Sequence, residues 1–155
     1  MPSFTLSTEL PITPEAFWSR MSMSAVNAEL MPLVRMTSPA AFRRAELSQW
    51  ATGCVLFRSV VLLFCCLPVD VHALRLERVE MGRGFLERSS SWSNRLWQHE
   101  RTTRPTAAGC VLTDTVMVEG RVPFVARLLM PVYRGVFRHR HRRLKRLYGC
   151  VSPAG

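Results

Sequence analysis

The segment from Arg121 to Gly149 constrains this chain more than any other stretch. Its apolar residues Val125, Leu128, Leu129, Val132, Val136, Phe137, Leu144, Leu147 and Tyr148 recur mostly in steps of three and four. That is the period of a helix with one apolar stripe. At about 1.5 Å per residue such a helix would reach roughly 40 Å. It needs a long apolar surface to lie against, and the strand-like stretches ahead of it supply one. Pro131 lies inside it, removes one backbone donor and should kink it.

The far end of the same segment is basic. The chain carries a net charge of +10, from 21 Lys and Arg against 11 Asp and Glu. Arg134, Arg138, Arg140, Arg142, Arg143, Lys145 and Arg146 follow one another with no acid among them. Positive charge at a helix C-terminus complements the macrodipole by about 0.3–1 kcal/mol per charge, so a solvated basic face is the simplest reading. The alternative is attraction to an anionic surface, with Arg138, Arg140, Arg142, Arg143, Lys145 and Arg146 meeting a membrane. Nucleic acid suits the stretch less, since only Phe137 and Tyr148 offer stacking platforms.

A chain of 155 residues fits one domain, here 1–149 with a short tail over 150–155. Cys54, Cys65, Cys66, Cys110 and Cys150 are odd in number and lack framework or metal spacing. They read as small buried hydrophobes in a reducing compartment. The N-terminus has no signal-peptide pattern. In the most apolar stretch, Gly53 to Val69, the uninterrupted part is Ser59 to Leu67. Those nine residues fall well short of the roughly 20 a membrane span needs. A buried strand is expected there, and a cytoplasmic protein overall.

Ser3 to Leu10 alternates as a strand. Thr13-Pro14-Glu15 is a helix start, with Thr13 as cap and Pro14 at the first helical position. A second short helix fits Ser24 to Leu30, and a strand fits Leu33 to Met36. Ala40 to Trp50 is ambiguous between loop and short helix. Strands are expected over Cys54–Leu67, Val71–Glu80, Phe85–Trp92, Leu96–Arg104 and Cys110–Glu119. On the second of these, Leu74, Leu76 and Arg78 should share a face. Met81-Gly82-Arg83-Gly84 marks a hairpin. The fold class is therefore α+β, with a curved antiparallel sheet wrapping a long terminal helix and two short helices after the first strand.

Several stretches resemble one superfamily in their order along the whole chain. Thr13-Pro14-Glu15-Ala16-Phe17-Trp18 is similar to the start of its first helix, and Gly84-Phe85-Leu86-Glu87-Arg88-Ser89 to the strand after its central hairpin. Trp97-Gln98-His99-Glu100-Arg101 and Leu112-Thr113-Asp114-Thr115-Val116 resemble its Trp-x-His and Thr-Asp strands. Phe137-Arg138-His139-Arg140 resembles its late aromatic-plus-Arg helical segment. The superfamily is the SRPBCC group: START domains, birch-pollen-allergen-like proteins and aromatic polyketide cyclases. The resemblance implies a helix-grip fold around an apolar cavity that takes a lipid, sterol or polyketide-like molecule. The basic cluster departs from that pattern, and so does the scarcity of catalytic-looking residues.

Trp97, His99 and Arg101 share one face of a strand. If that face looks inward, His99 is the acid–base candidate, with Asp114 or Glu87 beside it, for a cyclase- or dehydratase-like reaction. If it looks outward, these are cross-strand charge pairs in solvent. A ligand pocket would draw on Trp97, Arg101, Leu74, Leu76, Val116, Leu128, Leu129, Val132 and Val136, each of which also fits plain core. No metal and no cofactor is expected. His139 and His141 diverge on a helix, and no phosphate loop or Gly-x-Ser-x-Gly elbow occurs. A hydrophobic-ligand-binding module is thus the first reading, ahead of an enzyme. The third is a peripheral protein docking its basic end.

Overall fold

The computed structural model describes residues 1–149. The tail over 150–155, with Cys150, lies outside the described residues.

Strand β1 (Ser3–Leu10) leads to α1 (Pro14–Trp18) and α2 (Met23–Leu30). Thr13 caps α1 by accepting from the Ala16 amide, and Ser22 caps α2 by accepting from that of Ala25. After β2 (Val34–Met36), the ambiguous stretch resolves into α3 (Ala40–Arg44) and a 3-10 turn over Leu47–Gln49. Then come β3 (Val55–Leu63), β4 (Leu67–Glu80), β5 (Gly84–Ser91), β6 (Asn94–Thr106), β7 (Gly109–Gly120) and α4 (Pro123–Tyr148). The seven strands form one antiparallel sheet in the order β1-β7-β6-β5-β4-β3-β2. This curled sheet with its long terminal helix is the helix-grip architecture expected.

Two expectations about strands need correction. The stretch from Gly53 to Val69 is not one buried strand. Its chain turns back at Phe64–Cys66, where Phe64 and Cys65 take positive φ, and Phe64, Leu67 and Val69 are exposed. On β4, Leu74 and Leu76 point inward but Arg78 does not. The register shifts between Leu76/Glu87 and Arg78/Leu86, so Glu77 is an extra residue that reverses the parity. Val79 then packs against the core in place of Arg78. The cysteines differ too: of Cys54, Cys65, Cys66 and Cys110, only Cys110 is buried.

Helix α4 packs on β1, β7 and α2. Its inward residues are Ala126, Met130, Tyr133, Phe137, Arg140, His141 and Leu144, again in steps of three and four. The stripe read from hydrophobicity was therefore turned too far around the axis. Phe137 and Leu144 face in, whereas Val125, Leu128, Val132 and Leu147 are exposed. Arg140 and His141 occupy inward positions that an apolar scan passes over.

The interior has two apolar clusters. The larger joins Phe17, Trp18, Met21 and Met23 to Phe57, Leu74, Leu76, Leu112 and Leu144. The smaller joins Phe4, Val116, Val118, Ala126 and Phe137. Along the inward face of β7, Cys110 and Leu112 belong to the first, Val116 and Val118 to the second, and Asp114 falls between. The break recurs on α4, where Arg140 and His141 separate Phe137 from Leu144. No helix among the described residues is long and apolar enough to cross a membrane.

Candidate functional site

The gap between the two apolar clusters holds a ladder of ionisable side chains drawn from six elements. Strand alternation puts Trp97, His99, Arg101 and Thr103 of β6 on the inward face. Register then sets partners opposite them: Glu87 of β5 against His99, and Asp114 of β7 against Arg101. His99 Nε2 lies 2.7 Å from Asp114 Oδ1, and its Nδ1 lies 3.6 Å from Glu87 Oε2. Arg101 grips Asp114 with two prongs, Nε donating to Oδ1 at 2.7 Å and Nη2 to Oδ2 at 2.8 Å. Its third nitrogen, Nη1, donates to both oxygens of Glu29 on α2, at 3.1 and 2.8 Å.

Three more groups close the ladder. Arg140 of α4 donates to Glu29 Oε2 through Nη2 at 2.8 Å and Nε at 3.2 Å. His141 Nε2 sits 3.0 Å from Asp114 Oδ2. At the other end, His72 of β4 and Ser89 of β5 both reach Glu87 Oε1 at 2.6 Å. Every member is buried, Arg101 and Asp114 completely. A buried carboxylate is costly unless paired and hydrogen-bonded, and each one here has two or more partners.

The charges follow from these contacts. Burial alone would push the Asp114 carboxyl up, but the adjacent Arg101 and His99 hold it well below the usual carboxylate range. Glu87 is likewise pushed up by burial and pulled down further by His72 and His99, ending below its ordinary value. Burial would lower Arg101, yet Asp114 and Glu29 raise it above the ordinary guanidinium value. Arg140 goes the other way: burial and the nearby Arg101 charge outweigh its bond to Glu29. Asp114 and Glu87 are thus fixed anions, and Arg101 is a fixed cation between two carboxylates.

The structure brings together His99, Asp114, Glu87 and Arg101 from the sequence reading. It adds Glu29, His72, Arg140 and His141, which that reading missed. Arg140, expected on the anionic-surface patch, is instead buried against Glu29. Arg138, Arg142, Lys145 and Arg146 are exposed, and Arg143 is half-buried with Nε donating to the Ala28 carbonyl. Of the pocket candidates, Leu74, Leu76 and Val116 are core. Leu129, Val136 and Trp97 are half-buried, while Leu128 and Val132 face water. Trp97 lies edge-on to Tyr133 and His72, with ring centroids 5.1 and 6.1 Å apart.

Exposed apolar side chains occur on the first half of α4, on the β3–β4 hairpin and on the α2–β2 loop. The Phe64 amide donates to the Leu33 carbonyl at 2.7 Å, and His139 Nε2 lies 2.9 Å from the Met31 carbonyl. These two bonds draw the β3–β4 hairpin tip and the α2–β2 loop to one flank of α4. Toward the start of α4, the same flank continues as Val132, Leu128 and Val125. Leu128 is 65% exposed and Phe64 63%, and Met31, Leu67, Val69 and Val132 are exposed with them.

Sheet, terminal helix and inward Trp-x-His strand together define a helix-grip fold. Solved structures share the fold. A START superfamily protein from Mycobacterium smegmatis matches at a TM-score of 0.59 and 10% identity, over 94% of this chain and 98% of that one. Ara h 8.0201 matches at 0.57 and 8%, over 92% and 97%. DynU16, from the dynemicin biosynthetic locus, matches at 0.57 and 14%, over 95% of this chain and 48% of its own. The chain belongs to the family DUF8410, described as a domain of unknown function, whose model matches residues 8–148. No curated protein sequence matches it.

Proposed function

We propose that this protein binds a small hydrophobic molecule at the open end of its grip, between the first half of α4 and the β3–β4 hairpin. The observation that carries the reading is the apolar rim. Met31, Phe64, Leu67 and Val69 are exposed on the α2–β2 loop and the β3–β4 hairpin, and Val125, Leu128 and Val132 on α4. Contiguous exposed apolar surface is costly in water and marks binding sites more often than scattered apolar residues do. The guest would lie near the mouth and not in the deep interior, where the ionic ladder stands. Trp97 and Tyr133 form the wall next to which its polar end would sit.

What supports binding over proton transfer is the state of the trio His99, Asp114 and Glu87. Both carboxylates are already satisfied by Arg101 or His72, and all three groups are buried. The test is titration with Nile red, a neutral lipophilic dye, together with native mass spectrometry of the purified chain. Saturable fluorescence enhancement is expected, weakened about tenfold in Leu128→Asp/Val132→Asp. Both positions are exposed, so that variant should fold normally. Undiminished dye uptake by the double variant would remove the rim as the site.

A further inference from the structure

Helix α4 has a second flank, turned toward the edge strand β1, and its chemistry is opposite to that of the rim. From Gly120 to Gly149 the chain has nine Lys and Arg and no acid. Arg140 is neutralised by Glu29. Arg138 and Arg142 are exposed one turn apart and make no ion pair among the described residues. Like charges at that spacing repel, so the pair lacks an internal reason. Arg142 Nε does no more than donate to the Arg138 carbonyl at 3.4 Å. The two arginines line a depression of about 250 Å³ together with Leu6, Ser7 and His141.

His141 supplies the independent observation. The residue is 94% buried, and its Nδ1 is a buried polar atom with no hydrogen-bond partner. Its Nε2 faces Asp114, an ionised carboxylate that can only accept, so the ring proton stays on Nε2. Nδ1 is left as the open position. An imidazole that borders a basic depression and lacks one partner can accept at Nδ1 from a P–OH of a bound phosphate monoanion.

We propose that Arg138, Arg142 and the Nδ1 edge of His141, with the Ser7 hydroxyl, form a binding site for a phosphate-type anion in the seam between α4 and β1. Each planar guanidinium fork can engage two oxygens of a tetrahedral phosphate or sulfate. Phosphate can come from a soluble phosphomonoester or from a lipid headgroup. The site stands apart from the rim, and neither proposal depends on the other. The charged groups facing His141 are Asp114 from β7 on its Nε2 side and Arg138 and Arg142 from α4. Ser7 is the neutral neighbour from β1, and Arg101 and His99 stand behind Asp114.

Calorimetric titration of the whole chain, at fixed ionic strength, tests this with inorganic phosphate, glycerol 3-phosphate and sulfate. Cosedimentation with phosphatidylcholine vesicles, with and without phosphatidic acid, tests the headgroup source. Saturable binding is expected, weakened about tenfold or more in Arg138→Ala/Arg142→Ala and less than about twofold in the control pair Lys145→Ala/Arg146→Ala. Sulfate, which near neutrality carries no proton to give Nδ1, should bind more weakly than inorganic phosphate. Binding to soluble phosphates assigns a solution ligand, and binding only to phosphatidic acid vesicles assigns a headgroup. Absence of binding to every probe would overturn the site, and so would equal losses in the two arginine and lysine pairs, which would show diffuse charge attraction.

Discussion

Arg101 makes the ladder possible. It is fully buried, yet all three of its nitrogens donate to carboxylates, two to Asp114 and one to Glu29. Removing it would leave two buried anions facing each other across the space it filled. Arg101→Met should therefore cost about 3–5 kcal/mol, as expected when one partner of a buried ion pair is deleted. The readout is a lower urea midpoint with an unchanged slope. Arg78 is the contrast. It pairs with Glu80 and Glu100 at the surface, with its side chain about half exposed. Arg78→Met should shift stability by no more than about 0.5 kcal/mol, since solvent screens exposed pairs. Similar losses in the two variants would mean that the buried network is not what holds the sheet, α2 and α4 together.

At the scale of elements, α4 is gripped along its second half and uncovered along much of its first. Leu144 is fully buried and Leu128 mostly exposed. Leu144→Ala should cost about 2–4 kcal/mol, and Leu128→Ala about 0.5 kcal/mol or less. Gly135 lies inside the helix, and a Cβ built on it meets nothing within 4 Å. Gly135→Ala should stabilise the protein by about 0.5–1 kcal/mol, read as a higher midpoint, because alanine gives up less chain entropy on entering a helix. The order of elements was legible because period-two and period-3.6 patterns and the Thr13-Pro14 cap are local signals. The inward face of α4 was not. Hydrophobicity ranked Leu128 and Val132 above Arg140 and His141, but the buried phase includes both of the latter, because Glu29 pairs with Arg140 and Asp114 gives His141 a hydrogen-bond partner. On β6 alternation was enough to group His99 with Arg101. Nothing local marked Glu29 as the acid that joins them to α4, because their contact spans 72 residues of sequence. The bulge at Glu77 was equally silent, since an extra residue in a strand leaves no mark until its partner's register is known.

For the molecule as a whole, the ladder and the net charge act in the same direction as pH falls. Asp114 and Glu87 have folded-state pKa values below those of the unfolded chain. The stability they contribute is fully present above the unfolded values of about 3.9 and 4.3, and it is lost as pH falls below them toward the folded ones. The chain already carries a formal +10, and each carboxylate that takes a proton adds one more uncompensated positive charge. The urea midpoint should accordingly begin to drop near pH 5 and go on dropping as pH falls below 3. The two causes separate by salt. Repulsion among exposed arginines is screened over roughly 10 Å at 0.1 M ionic strength, whereas the pairing of Arg101 with Asp114 is out of reach of solvent ions. Added sodium chloride should thus recover part of the acid loss and leave a salt-resistant remainder. Asp114→Asn should reduce that remainder, because one of the two depressed carboxylates is gone. Complete recovery in salt, or an acid profile identical in Asp114→Asn, would show that surface repulsion alone drives the acid transition and that the ladder contributes nothing to it.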